Sequence, residues 1–249
     1  CDWKSLKFLA NKYDLKLIND NCHALGAEYN EKKDYAVRYA DIVTQSFHPV
    51  KHITTGEGGS ILTNELIIDK KVRELRSHGM VKNKAIMSKH NASWYYEMQD
   101  LGYNYRITDI QCALGSNQLK KLDRFIKRRQ DIATTYNNEF ESLQYLITPK
   151  SGDLIKHAYH LYPVLIDFKK IGISKNTFFE EMRSNGVNLQ VHYIPVHFQP
   201  FYIKKYGFNR GDFEVAEQFY EQEVSLPIYP DLKTKDIQYI CKLIKKIFS

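Results

Sequence analysis

SFHPVKHITTGEGGSILTN, residues 46–64, is the stretch on which the reading of this chain turns. Residues 42–47 before it and GSILT (59–63) at its end have the apolar, β-branched character of two short strands. HPVKHITTGEG between them is turn-rich and too short for a helix. Two strands joined by a polar connection within about 20 residues make a hairpin-like excursion that presents side chains at a sheet edge. Lys51 stands between the first strand and a turn with three glycines in four residues, Gly56, Gly58 and Gly59. Glycines there let the backbone approach a ligand closely and leave N–H groups for an anion. On composition alone the stretch reads first as a surface lysine before an ordinary turn, and its spacing is not that of a GxxxxGK[ST] phosphate loop.

Upstream, LKLIN (15–19) is short, apolar and preceded by a helix, so it reads as a parallel strand with Asp20 at its C-terminal end. That end is where ligands bind in open α/β sheets. A carboxylate at this place caps a helix or holds a cationic nitrogen, whose pKa it raises. His23 follows three residues later. The first residues form an amphipathic helix, with Leu6, Leu9 and Tyr13 on one face and Lys4, Lys7 and Asn11 away from it. A chain that opens on Cys1 and directly on a helix reads as lacking the start of its large domain, with a sheet edge left unpaired.

Downstream, Ile107, Ile110, Leu114, Leu122, Phe125, Ile132, Tyr136, Phe140 and Leu143 recur at gaps built from three and four. This predicts a long helix, broken once, of the kind that bridges two domains. A small α+β domain follows: a strand over 160–167, a helix capped by Ser174 and ended by Asn185–Gly186, a strand over 187–194, and helices near 212–223 and 234–247. The expected division is 1–125, the C-terminal part of a large domain, and 126–249, a small domain.

Composition bounds the function. With 43% hydrophobic residues in 249, the chain can build one large domain or two small ones. No apolar run has the length of a membrane span and no segment resembles a signal peptide, so a cytoplasmic protein without a membrane partner is expected. The four cysteines lie far apart without a CxxC pair, which suits a reducing compartment better than disulfides or zinc. A net charge of +7 could draw nucleic acid, a membrane surface or a phosphorylated ligand. Lysines are spread throughout, and the densest run, KKLDRFIKRR (120–129), reads as a solvated helix face, so no nucleic-acid partner is expected. Among nine histidines, His48 and His52 have helical spacing, but Pro49 opposes a helix. His192 and His197 would face opposite sides of a strand unless the chain bends at Pro195. No trio of ligands emerges, and no metal is expected.

The 46–64 stretch, INDNCHALGA upstream, LGYNYRITDIQCALGSNQL (101–119), VHYIPVHFQPFY and SLPIYPDL together resemble, in the same order, the DegT/DnrJ/EryC1/StrS sugar aminotransferases. The wording is most similar to the pseudaminic-acid branch. The resemblance implies an α/β, pyridoxal phosphate (PLP)-dependent transferase type I fold: a partial large domain with a mixed sheet and a small C-terminal α+β domain. It implies pyridoxal 5′-phosphate as cofactor, glutamate as amino donor, and a UDP-linked 4-keto-6-deoxy sugar as acceptor. It gives Lys51 the role of the amine that condenses with the cofactor's aldehyde and then shuttles protons. It places Asp20 on the pyridine nitrogen, His23 near the phenolic oxygen and Ser46 on the phosphate. Asn104 would reach the phosphate in the neighbouring subunit of a homodimer, and Arg106 and His197 would contact substrate. The missing start normally supplies a hydroxyl-bearing phosphate loop and the residue that stacks on the ring. The rivals are another nucleotide-sugar aminotransferase, of perosamine or bacillosamine type, and a non-catalytic binding module that kept the fold. The intact Lys51, Asp20 and Ser46 argue against the latter.

Overall fold

The computed structural model describes residues 1–83, 85–88 and 92–248. In chain order the elements are α1 (Trp3–Lys12), β1 (Ile18–Asp20), β2 (Glu28–Tyr29), α2 (Tyr35–Tyr39), β3 (Ile42–Ser46), β4 (Gly59–Leu62), α3 (Leu66–Arg76), β5 (Met80–Val81), β6 (Glu97–Met98) and α4 (Asp109–Leu119). They continue with α5 (Leu122–Phe140), β7 (Leu146–Ile147), β8 (Ile155–Lys156), β9 (Tyr162–Ile166), α6 (Lys175–Ser184), α7 (Pro200–Tyr206), α8 (Glu214–Gln222), β10 (Glu223–Leu226) and α9 (Thr234–Phe248). The chain divides into two compact units. The first is Cys1–Leu122 with Leu154–Lys156, and the second is Asp123–Asp153 with His157–Ser249.

The first unit is organised by a sheet of order β1-β3-β4, in which β1 runs parallel and β4 antiparallel to β3. The ladder of β1 starts at Ile18 and includes Asp20, three residues later than the apolar run begins. Leu15 is diverted because its N–H returns to Ala10 at the end of α1, and the Leu17 N–H is taken by the Asp41 carboxylate at 2.7 Å. Asp2 caps α1 through the Ser5 N–H at 3.1 Å. The covered side of α1 differs from the expected one: Ala10 is buried and Trp3 partly so, whereas Leu9 and Tyr13 are 45% and 61% exposed. The Trp3 ring packs near that of Tyr35, which turns the helix. The two strands around Lys51 form the expected hairpin, with Ser46 registered on Gly59 and Val43 on Leu62.

The second unit holds the larger core. The antiparallel sheet β10-β9-β7 meets α5, α6 and α9 around Ile132, Tyr136, Phe140, Tyr162, Phe178, Met182, Ile237 and Ile244. The predicted long helix is interrupted at Lys120 and Lys121. Ser174 caps α6 by accepting the Thr177 N–H at 3.0 Å.

Two expectations are corrected. The basic run is not wholly a solvated face, because Arg129 is buried. Its guanidinium donates to the carbonyls of Tyr159 (3.0 Å), His160 (3.1 Å) and Ile228 (2.8 Å), which replace water, and burial lowers its pKa to about 10. Residues 187–194 form no strand; a single bridge joins Gln190 to Ser225. Beyond it the His192 N–H goes to the Glu223 carboxylate at 2.9 Å, a side-chain acceptor that ends any ladder.

Candidate active site

Because β1 and β3 are parallel, their C-terminal ends lie side by side, with Asp20 registered on Thr44 and Ser46 two residues further along β3. Asp20 is exposed, and its Oδ1 accepts the Cys22 N–H at 3.1 Å. The Cys22 thiol, then that N–H, and then the charges of His23 and Lys51 hold the Asp20 carboxyl below the usual carboxylate range, against the opposing effect of burial. Burial first, and Asp20 next, push the Cys22 thiol up, while the Thr44 hydroxyl and Lys51 pull it down. Lys51 therefore acts electrostatically on both groups at the end of β1, and the sequence separation between residues 20 and 51 is closed by the sheet.

Lys51 is half-buried, in the connection that leaves β3 at Ser46. Its N–H donates to His48 O at 3.0 Å, and the Ser46 hydroxyl oxygen accepts the His48 N–H at 3.4 Å. The Phe47 N–H donates to Gly58 O at 2.8 Å, while Phe47 O accepts both the Thr55 N–H at 3.0 Å and the Thr54 hydroxyl at 3.1 Å. Glycine is required at two places for different reasons. Gly58 has φ +151°, and a Cβ there would stand 2.4 Å from Thr55 Oγ1. A Cβ on Gly59 would meet Gln45 O at 2.6 Å. Helix α4, opened by a capping box between Thr108 and Gln111, braces the turn by donating from Gln111 Nε2 to Glu57 O at 2.9 Å.

Asn104 and Arg106 occupy the exposed segment after Gly102, where Asn104 bridges to Ser77. A Cβ on Gly102 would lie 2.1 Å from Gly79 N, so this close backbone crossing demands glycine. Among the described residues the side chains of Asn104 and Arg106 make no hydrogen bond or ion pair with the rest of the chain. His197 belongs to the second unit and is 7% exposed, packed against Phe198 and Phe213. Its Nε2 lies 3.0 Å from Glu217 Oε1, a contact within the second unit. Burial works to raise the Glu217 carboxyl, but the Gly211 N–H and His197 outweigh it and hold the group below its ordinary range.

The donor set at the strand ends suits a cofactor with a cationic ring nitrogen, an aldehyde and a phosphate. An ionised carboxylate, a primary amine and a hydroxyl beside a glycine turn stand on one sheet edge. Sequence reasoning missed Cys22 and Thr44, which flank the carboxylate; the only sign of them was their position two residues after Asp20 and two before Ser46. Among the described residues there is no group of three or more His, Cys, Asp or Glu side chains that could hold a metal ion. Nor, among those residues, is any helix long and apolar enough to cross a membrane.

The family model of the DegT/DnrJ/EryC1/StrS aminotransferases matches residues 1–245. The uncharacterized protein MJ1066 of Methanocaldococcus jannaschii is 43% identical over 249 residues, which are 100% of this chain and 64% of that protein. The UDP-4-amino-4,6-dideoxy-N-acetyl-beta-L-altrosamine transaminase of Campylobacter jejuni (serotype O:23/36) is 42% identical over 232 residues, 93% of this chain and 58% of the relative. Among solved structures, Helicobacter pylori PseC, an aminotransferase involved in the biosynthesis of pseudoaminic acid, superposes with a TM-score of 0.87 at 32% identity. That match covers 100% of this chain and 63% of PseC, so the chain spans about three-fifths of the length of such relatives. The expected α/β fold of this aminotransferase class is borne out over the part the chain spans.

Proposed function

The chain belongs to the DegT/DnrJ/EryC1/StrS aminotransferase family, and from that premise we propose that the protein is a PLP-dependent aminotransferase that moves an amino group from glutamate to C4 of a UDP-linked 4-keto-6-deoxy sugar. The observation that carries the reading is the register of two adjacent parallel strands, which sets Asp20 beside Thr44 and Ser46, with Lys51 in the connection that leaves β3. The likeness to altrosamine transaminases and to PseC supports a sugar of the pseudaminic-acid branch. We assign residues 1–125 to the cofactor-holding part of the large domain and 126–249 to the small domain.

Bound pyridoxal phosphate supplies an aldehyde that accepts an amine and a cationic ring that draws electrons from the neighbouring carbon. Asp20 would hold the ring's N–H, and a carboxylate kept ionised by Cys22, His23 and Lys51 is suited to that task. The Ser46 hydroxyl and the adjoining turn would hold the phosphate, and His23 would serve the phenolic oxygen. Lys51 Nζ would anchor the cofactor and, once freed by the donor, would take the proton from the amino-bearing carbon of glutamate and return one at C4 of the sugar. Asn104 of one subunit completes the phosphate site of its partner in a homodimer, and Arg106 contacts the anionic substrate. The net charge of +7 favours the approach of a UDP-sugar.

The test uses the full-length protein with pyridoxal 5′-phosphate, borohydride and peptide mass spectrometry. A reduced cofactor adduct is expected on Lys51 and absent in Lys51→Ala; an adduct on another lysine, or none, refutes the assignment. Turnover of UDP-linked against GDP-linked 4-keto sugars with glutamate decides the acceptor.

A further inference from the structure

Asn21, between Asp20 and Cys22, is gripped from three directions. Its N–H donates to Thr44 O at 3.0 Å, its carbonyl accepts the Ala24 N–H at 3.0 Å, and its Oδ1 accepts the Tyr35 hydroxyl at 2.7 Å. Asn21 is 4% exposed and Tyr35 5%, so water does not substitute for this bond if it is lost. The Tyr35 ring is fixed beside Trp3 and Tyr29, at centroid distances of 6.1 Å and 6.3 Å. Burial pushes its phenol up to about 12, which keeps the hydroxyl a donor throughout the neutral range.

What the gripped residue controls is the next peptide unit. The Cys22 N–H closes a side-chain turn onto Asp20 Oδ1 at 3.1 Å, and that closure depends on the backbone angles of Asn21. Freeing Asn21 loosens the turn and with it the aim of the carboxylate. The ring contacts of Tyr35 with Trp3 and Tyr29 need no hydroxyl, so the polar pair has a task beyond packing.

We propose that Tyr35 is a positioning residue for Asp20, acting through Asn21: its buried hydroxyl sets the turn that aims the carboxylate at the cofactor's ring nitrogen. The proposal rests on the reading of Asp20 given under Proposed function. His23, Lys51 and Cys22 are the other groups that act on Asp20, and none of them is altered in the test.

The experiment takes the full-length protein loaded with ring-15N-labelled pyridoxal 5′-phosphate and compares wild type with Tyr35→Phe. The expected result is about fivefold weaker cofactor binding, the equivalent of one neutral hydrogen bond. The ring 15N resonance moves toward its deprotonated position. Asn21→Ala gives the same change, and the double variant adds nothing further, because both substitutions remove one interaction. A lowered melting temperature with affinity and 15N signal unchanged makes Tyr35 merely structural and overturns the proposal. Should Tyr35→Phe not fold, Asn21→Ala carries the same test with the same overturning result. A wild type without the borohydride-fixed adduct on Lys51 overturns the aminotransferase reading itself. An intact adduct with an unmoved 15N signal in the variants overturns only the role of Tyr35.

Discussion

Gly59→Ala and Gly56→Ala test whether the Lys51 hairpin is held by close backbone packing or only by turn conformation. Both glycines lie in one turn, yet their surroundings differ. At Gly59 an added Cβ would sit 2.6 Å from Gln45 O, a backbone atom of the middle strand β3, which pairs on both sides. Relief requires opening the ladder beside the Ser46–Gly59 pair. Overpacking against such a neighbour costs about 1–3 kcal/mol. At Gly56, with φ +82°, a Cβ would meet nothing within 4 Å, so only backbone conformation is at stake. The left-handed conformation costs about 1–2 kcal/mol, and the stiffer unfolded chain returns about 0.4–1 kcal/mol of that. At roughly 2–4 °C per kcal/mol for a domain of this size, a 2 kcal/mol loss at Gly59 lowers the melting temperature by about 4–8 °C, and the mid-range net loss of about 1 kcal/mol at Gly56 lowers it by about 2–4 °C. The assay is thermal unfolding of the full-length protein, with the yield of borohydride-fixed adduct on Lys51 as the second readout. Adduct yield falls in Gly59→Ala and holds in Gly56→Ala. An equal or larger cost at Gly56 refutes the reasoning.

Arg129→Met keeps the packing but leaves the carbonyls of Tyr159, His160 and Ile228 without their donor, and costs about 2–4 kcal/mol in urea unfolding; a neutral result refutes the buried-donor account. Asp20 has a depressed folded-state pKa, so its contribution to stability is present above the unfolded value near pH 4 and is lost as pH falls through the lower folded value. Asp20→Asn therefore flattens the acid limb of stability against pH, and parallel acid limbs for variant and wild type in pH-dependent urea unfolding count against the assignment. Ser174→Ala removes the Thr177 N–H acceptor at the start of α6 and lowers stability by about 1 kcal/mol, checked by the urea midpoint at constant slope.

Features written in local chemistry were legible in the sequence. The glycine turn between two β-rich runs announced the Lys51 hairpin, and Ser174 announced the start of α6 through its side-chain oxygen alone. Features whose reason lies far along the chain were not. Glu223 opens strand β10 while wholly buried, because Ser225 and the His192 N–H satisfy its carboxylate at 2.6 Å and 2.9 Å. The second of those bonds also ends any strand over 187–194, so one long-range contact lies behind the failure of that expectation. Arg129 looked solvated for the same kind of reason, its partners being carbonyls some 30 and 99 residues away. Helix α7 carried local signals that went unused: Pro200 at its first turn and Gly207 at φ +73° closing it. The order Asp20, Ser46, Lys51 could be read directly, but the Cys22 contact that does most to hold Asp20 ionised could not, since cysteine is a residue type with many uses.

The candidate site is finally a matter of register. Side chains alternate faces along a strand, so slipping β1 by one residue against β3 would carry Asp20 to the opposite face from the one it shares with Thr44 and Ser46. A strand of only three residues has little of its own to prevent that slip. The register is secured from outside the ladder. Before it, the Asp41 carboxylate takes the Leu17 N–H while the Asp41 N–H returns to Leu17 O at 2.9 Å, clamping the entrance of β1 to that of β3. After it, the Asn21 N–H reaches Thr44 O, and the buried Tyr35 hydroxyl holds Asn21 in place. The alignment of Asp20 with Thr44 and Ser46 thus depends on two polar clamps outside the ladder, and weakening either is a route to losing the candidate site without altering a residue in it.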